Sequence, residues 1–186
     1  EIYDYMRVLY ARVGVYYSPK KKVPARSYSP VKVLTFLKER TTTRDKILIL
    51  VKLKNKNEQR LLIDTEKINR LGFNKIFIEK QTIKFESLDE IPTEKSKEIF
   101  LVLDRLKLHP KSEKRLLESI ETAFKVGSGT IYSHFKNETI IFSNHLLCND
   151  NNEILPEVTP QHFSFNSPVG ACLSCNGLGE LKTLSE

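Results

Sequence analysis

Ile99-Phe100-Leu101-Val102-Leu103-Asp104-Arg105-Leu106-Lys107-Leu108 begins as a continuous apolar run and ends in alternation. A short apolar run of this kind, bounded by turn signals, is a strand buried on both faces, and the alternating tail is the same strand emerging into solvent. Pro110 ends it, so a strand is expected over about residues 96–108. Downstream, Ser112 stands where a helix N-cap belongs. Leu116, Leu117, Ile120, Ala123 and Phe124 then recur at helical spacing, and Gly127 closes the helix. Residues 130–133 and 139–142 flank Lys136-Asn137 as the arms of a hairpin.

Upstream, residues 46–54 show the same passage from apolar run to alternation. Asn55-Lys56-Asn57 reads as a turn. Residues 58–71 follow as a helix with Leu61, Thr65, Ile68 and Leu71 inward and Gly72 as its stop. Residues 75–79 form a strand, with 82–86 as its hairpin partner. Strand–helix–strand therefore occurs twice, which predicts an α/β insert on one mixed, α+β-like sheet. The two halves share an order but not a sequence, so no repeat is implied. Residues 1–13 place Ile2, Tyr5, Met6, Leu9 and Val13 on one helical face before Gly14. Ser18-Pro19-Lys20-Lys21-Lys22-Val23-Pro24 is a basic linker, and Ser29-Pro30 is an N-cap followed by Pro at the first helical position, with Val33, Leu34 and Leu37 as the apolar face.

The chain has 186 residues, 40% of them hydrophobic and 28% charged, enough for one sizeable domain or a domain with a small module. No apolar run approaches the ~20 residues of a membrane span, and there is no signal peptide. The chain lacks an initiator Met and opens inside an amphipathic helix, as an excised piece of a longer protein would. Three Cys, an odd number, argue against a disulfide scaffold and fit a reducing cytoplasm. The net charge of +7 favours an anionic partner, nucleic acid or an acidic protein face. No phosphate-cradling Gly loop with Lys is present, nor a G-x-S-x-G or H-E-x-x-H motif. Gly127-Ser128-Gly129 follows a helix and is a turn, and the carboxylates over residues 86–94 read as a solvated loop. No catalytic set is expected in this chain.

Near the end, Phe163-Ser164-Phe165-Asn166-Ser167-Pro168-Val169-Gly170-Ala171-Cys172-Leu173-Ser174-Cys175-Asn176-Gly177-Leu178-Gly179 joins a C-x-x-C turn to a Gly-rich exit. Such a turn aims two thiolates at one tetrahedral ion. The string resembles the zinc-hinge segment of UvrA, the ABC-type ATPase family of bacterial nucleotide excision repair. Glu1-Ile2-Tyr3-Asp4-Tyr5-Met6-Arg7-Val8-Leu9-Tyr10-Ala11-Arg12-Val13-Gly14 resembles the helix after the Q-loop of the family's first ATPase half. The two strings bracket nearly the whole chain.

The resemblance implies three segments: a post-Q-loop helix and linker at 1–23, a UvrB-binding insert at 24–143, and a zinc-hinge segment at 144–186. It implies UvrB as partner, DNA contacted through a dimeric, cytoplasmic parent of the SOS-regulated excision nuclease, and ATP and magnesium in that parent only. No membrane partner is implied, and the fragment alone is expected to be monomeric. The family's docking residues carry over onto Asp104 and Arg105, and onto Lys75, which matches an Arg in charge without its bidentate fork. The family's acidic-Gly turn is Glu79-Lys80 here. Its two zinc-binding C-x-x-C pairs map onto Cys148, with Asn151 in place of the next Cys, and onto the intact Cys172 and Cys175. An amide is a poor zinc ligand beside thiolates. Either His145 substitutes, giving a Cys3His site, or the knuckle is metal-free and held by Phe163, Phe165 and Leu178. The family's earlier Cys element is absent. Two other functions compete. One is an independent basic nucleic-acid-binding domain using Lys20-Lys21-Lys22 with Tyr16, Tyr17 and Tyr28. The other is a divergent UvrA-like copy that has lost docking.

Overall fold

The computed structural model describes residues 1–18, 22–53, 72–86, 98–148, 150–155 and 157–180. The turn expected at 55–57, the helix at 58–71 and all but Glu86 of the carboxylate loop lie outside the described residues. The chain divides into two compact units, one made of residues 1–25 with 148–186 and the other of 26–147.

In the second unit, β1 (Lys46–Leu53), β2 (Lys75–Ile78), β3 (Gln81–Lys84), β4 (Ile99–Lys107), β5 (Thr130–Phe135) and β6 (Glu138–Ser143) form one sheet in the order β3-β2-β4-β1-β5-β6. The α/β class holds, but every hydrogen-bonded pairing is antiparallel, where a mixed sheet was expected. The reason lies in the crossover. The helix after β4 delivers the chain to β5, which runs parallel to β4 as in any strand–helix–strand unit. β1 is inserted between them and pairs with both, so the two parallel strands never touch.

Among the described residues, two helices cover one sheet face. The first of these is α2 (Pro30–Arg40), because α1 (Ile2–Val13) belongs to the other unit. Ser29 caps α2 by accepting a 3.3 Å hydrogen bond from the Lys32 amide, and Val33 and Leu37 are fully buried. α3 (Glu113–Val126) buries Leu116, Ile120, Ala123 and Phe124. These pack on Ile47, Ile49, Val51, Leu106, Ile131 and Phe142 to make the main core. Ser112 does not cap α3 with its side chain. Its hydroxyl accepts from the His109 amide at 2.9 Å and donates to the Lys107 carbonyl at 2.8 Å, closing a 3-10 turn over Pro110–Ser112.

Both two-residue hairpin loops demand positive φ at each central position, and both meet the demand without glycine. Glu79 and Lys80 sit at +49° and +64°, and Lys136 and Asn137 at +47° and +64°. The unit's entry and exit are clasped by two reciprocal backbone hydrogen bonds of 2.9 Å between Arg26 and Leu147.

In the first unit, α1 buries none of its residues. The expected apolar face, Ile2, Tyr5, Met6, Leu9 and Val13, is exposed. Tyr3 and Tyr10 pack instead on Phe165 and Phe163, with ring centroids 5.7 and 5.9 Å apart, and the Tyr3 hydroxyl donates to the Phe163 carbonyl. Short strands β7 (Leu146–Cys148), which starts in the second unit, and β8 (Glu153–Leu155) precede the cysteine turn.

Candidate functional site

Alternation puts Ile99 and Leu101 of β4 in the cluster with Ile76 and Ile78, and Phe100 and Val102 in the opposite cluster with Leu48, Leu50 and Phe77. Unbroken alternation would send Arg105 to the face of Leu101 and Leu103. A β-bulge prevents this. Ile49 pairs with Asp104 and Leu50 with Val102, leaving Leu103 as the extra residue. Past the bulge the parity is inverted. Leu106 joins the main core, and Arg105, directly opposite Leu48, emerges on the face of Phe77, Phe100 and Val102.

Lys75, two residues before Phe77 on β2, lies on that same face. Its strand pairs with β4 through Ile76–Leu101 and Phe77–Phe100, and one further step of this register sets Lys75 beside Val102. Thus the bulge brings together two of the expected docking residues, Lys75 and Arg105. Both are exposed, and neither has an ion pair among the described residues.

Asp104 faces the other way. Its carboxylate accepts from Arg115 Nε at 3.0 Å, Arg115 Nη2 at 2.7 Å and Ser119 Oγ at 2.6 Å, all on α3, and from the Arg105 amide at 2.7 Å. Burial pushes its carboxyl up, but these hydrogen bonds and the Arg115 charge outweigh burial and hold it below the ordinary carboxylate value. Asp104 thereby fixes the strand on the far side of the bulge, with Arg105 free to project. The Asp104–Arg115 pair has no local sequence signature, because the partner is eleven residues away across a helix start.

The face is concave. β2 and β5 are separated in the sheet by β4 and β1, which at about 4.8 Å per strand would place them roughly 14 Å apart in a flat sheet. Yet the Phe77 and His134 rings meet at 4.6 Å; Phe100 of β4 and Tyr132 of β5 meet at 4.9 Å across β1. The bulge contributes by increasing the local twist. Burial, aided by the Lys80 charge, keeps the His134 imidazole below its ordinary pKa, and its Nδ1 bonds Thr139 Oγ1 at 2.8 Å.

Residues 32–137, which hold Lys75, Asp104 and Arg105, match the family described as the UvrA interaction domain. The chain belongs to that family. It is 36% identical to the UvrABC system protein A of Clostridium perfringens (strain 13 / Type A), with all of this chain and 20% of that protein aligned. Identity to the same protein of Agrobacterium fabrum (strain C58) is 31%, over 100% of this chain and 21% of that one. For Rickettsia bellii (strain RML369-C) it is 30%, over 97% and 20%. The chain therefore spans about a fifth of the length of these curated relatives.

Outside the UvrA interaction domain match lies the cysteine turn, within the first unit. The Cys172 thiol is held below its ordinary pKa by the Cys175 amide first, then by the Ser174 amide and the Cys175 thiol. Cys175 Sγ accepts from the Gly179 amide at 3.3 Å. The hydrogen bonds to Cys172 favour its thiolate, the form in which a cysteine ligates zinc. Of the two other expected ligands, Cys148 belongs to this unit and His145 to the second, while Asn151 stands where the family has a Cys. Buried Cys148 donates to Asp150 Oδ1 at 2.6 Å, and Asn151 bonds Glu153 through both ends of its amide, at 2.7 and 3.1 Å. His145 is exposed in the second unit beside Gly129. Among the described residues of the first unit, no third His, Cys, Asp or Glu joins Cys172 and Cys175. The turn fits half of a closed four-ligand site.

Of the aromatic residues suited to stacking on bases, Tyr16 and Tyr17 are exposed, but Tyr28 packs edge-on against Phe142 at 5.1 Å. Lys20 and Lys21 lie outside the described residues. Among the described residues no helix is long and apolar enough to cross a membrane.

Proposed function

We propose that this chain is the partner-docking portion of a UvrA-type DNA-damage-recognition ATPase, and that its concave sheet face receives UvrB. The observation that carries this is the bulge at Leu103, which turns Arg105 onto the face of Lys75 while Asp104 anchors the strand from behind. A cationic, exposed, unpaired pair on a rigid sheet suits polar docking, in which charge steers encounter and fixes register. Catalysis and nucleotide binding belong in this reading to the parent ATPase, which acts in the cytoplasm. Zinc enters as a proposal resting on Cys172 and Cys175 as ligands.

The test is a calorimetric titration of the chain with UvrB from the same organism at moderate salt, with Arg105→Glu alongside. Binding by the native chain that is lost in the folded variant supports docking. Equal affinity with an unchanged melting curve refutes it.

A further inference from the structure

The sheet face that bears Arg105 carries two pairs of like charges in direct register. Lys75 on β2 stands opposite Lys84 on β3, and Lys46 on β1 stands opposite Lys107 on β4. By alternation with Phe77, Leu48 and Arg105, all four lysines share the concave face, and all four are exposed. Along β4, Arg105 lies between the level of Lys75, beside Val102, and Lys107. Like charges directly opposite each other in an antiparallel ladder are destabilising. None of these five cations has an ion pair among the described residues. Elsewhere among the described residues of the same unit, Lys38 pairs with Glu113, Lys52 with Glu98, Arg115 with Asp104, and Lys136 with Asp45.

Like charge gathered on one face has a natural counterpart in carboxylates supplied from outside. We propose that Lys84, Lys46 and Lys107 join Lys75 and Arg105 in one cationic rim that docks an acidic face of the protein partner. Each lysine pair flanks a position for a carboxylate, and Arg105 receives a third between them. This rests on the docking reading above and adds three residues to it. A nucleic acid fits the face less well, because stacking requires exposed rings. Phe77 and Phe100 are buried here, and their rings lie against His134 and Tyr132.

The distinguishing readout is a pair of opposite signs. Lys84→Glu faces Lys75 and turns a repulsive pair into an attractive one, so Tm stays level or rises. Binding to UvrB falls about tenfold, and its salt dependence becomes shallower, as expected when a cationic contact is removed. Lys107→Glu behaves the same way opposite Lys46. Unchanged affinity in both variants, while Arg105→Glu abolishes binding, overturns the extended rim and leaves the docking reading standing. Absence of binding by the native chain overturns both. If a DNA duplex binds the native chain, UvrB does not, and Lys84→Glu weakens the DNA complex, the rim is a phosphate-binding surface and the proposal is wrong.

Discussion

Replacing Asp104 by Asn removes a charge without removing volume, and the structure sets the expected cost. The Asp104 side chain is 11% exposed and that of Arg115 66%, so the pair is half in water. The Arg115 fork is therefore screened and is worth roughly 0.2–1 kcal/mol, the range of exposed ion pairs. The Ser119 hydroxyl, which donates to the carboxylate at 2.6 Å in a part-buried setting, adds about 1.5 kcal/mol as a hydrogen bond to a charged group. An Asn amide keeps one acceptor and turns its NH2 toward Arg115 or Ser119, so most of this sum, about 2 kcal/mol, is lost. At about 2–4 °C per kcal/mol, Tm falls by roughly 4–8 °C in differential scanning calorimetry. A cycle with Arg115→Ala isolates a coupling of about 0.5–1 kcal/mol. Because the folded-state carboxyl lies below its ordinary 3.8, this stability is present above that pH and is lost as pH falls through the lower folded value. Arg105→Ala, whose side chain makes no such contacts, leaves Tm unchanged in the same runs. An Asp104→Asn protein that melts with the native one would refute the view that Asp104 anchors the strand behind the bulge.

Three further outcomes are expected. Gly177 has φ +88°, and a Cβ there would lie 2.1 Å from the Phe165 carbonyl oxygen, so Gly177→Ala costs roughly 1–3 kcal/mol; unaltered proteolytic protection of the cysteine turn would contradict this. His134 has its folded pKa lowered by burial and by Lys80, so its contribution is present above pH 6.5 and is lost as pH falls through the folded value; His134→Gln flattens the acid side of the Tm–pH curve, and superimposable curves would count against it. Cobalt(II) titration gives a sulfur-to-metal charge-transfer band that Cys172→Ser abolishes and Cys148→Ser leaves intact; loss of the band in Cys148→Ser would make Cys148 a ligand.

Local pattern was enough to locate β1, β4, α2 and α3, because each is an apolar run or a clear helical stripe. Strand order was not legible, since nothing in residues 46–53 says that β1 will slide between β4 and β5. The bulge was equally hidden. Leu103-Asp104-Arg105-Leu106 is compatible with either parity, and the choice is made by the register with β1 and by Arg115 on α3. Lys75 and Arg105 were singled out by the family resemblance alone, and nothing in the sequence places them on a common face. On α1 the hydrophobic periodicity located the helix and its stop at Gly14, but not its aromatic contacts, which Tyr3 and Tyr10 make with residues far along the chain. The cysteine turn was legible as a C-x-x-C turn because its geometry is local, whereas the partners of Cys148 and Asn151 are set by the strand turn around Asp150 and Glu153.

The clasp between Arg26 and Leu147 makes the sheet unit a closed loop on a single stem. Its two ends leave side by side, so a host chain can carry it as a pendant, with the host's own path interrupted by no more than the width of a strand pair. Insertions and deletions inside the pendant then leave the host's spacing untouched.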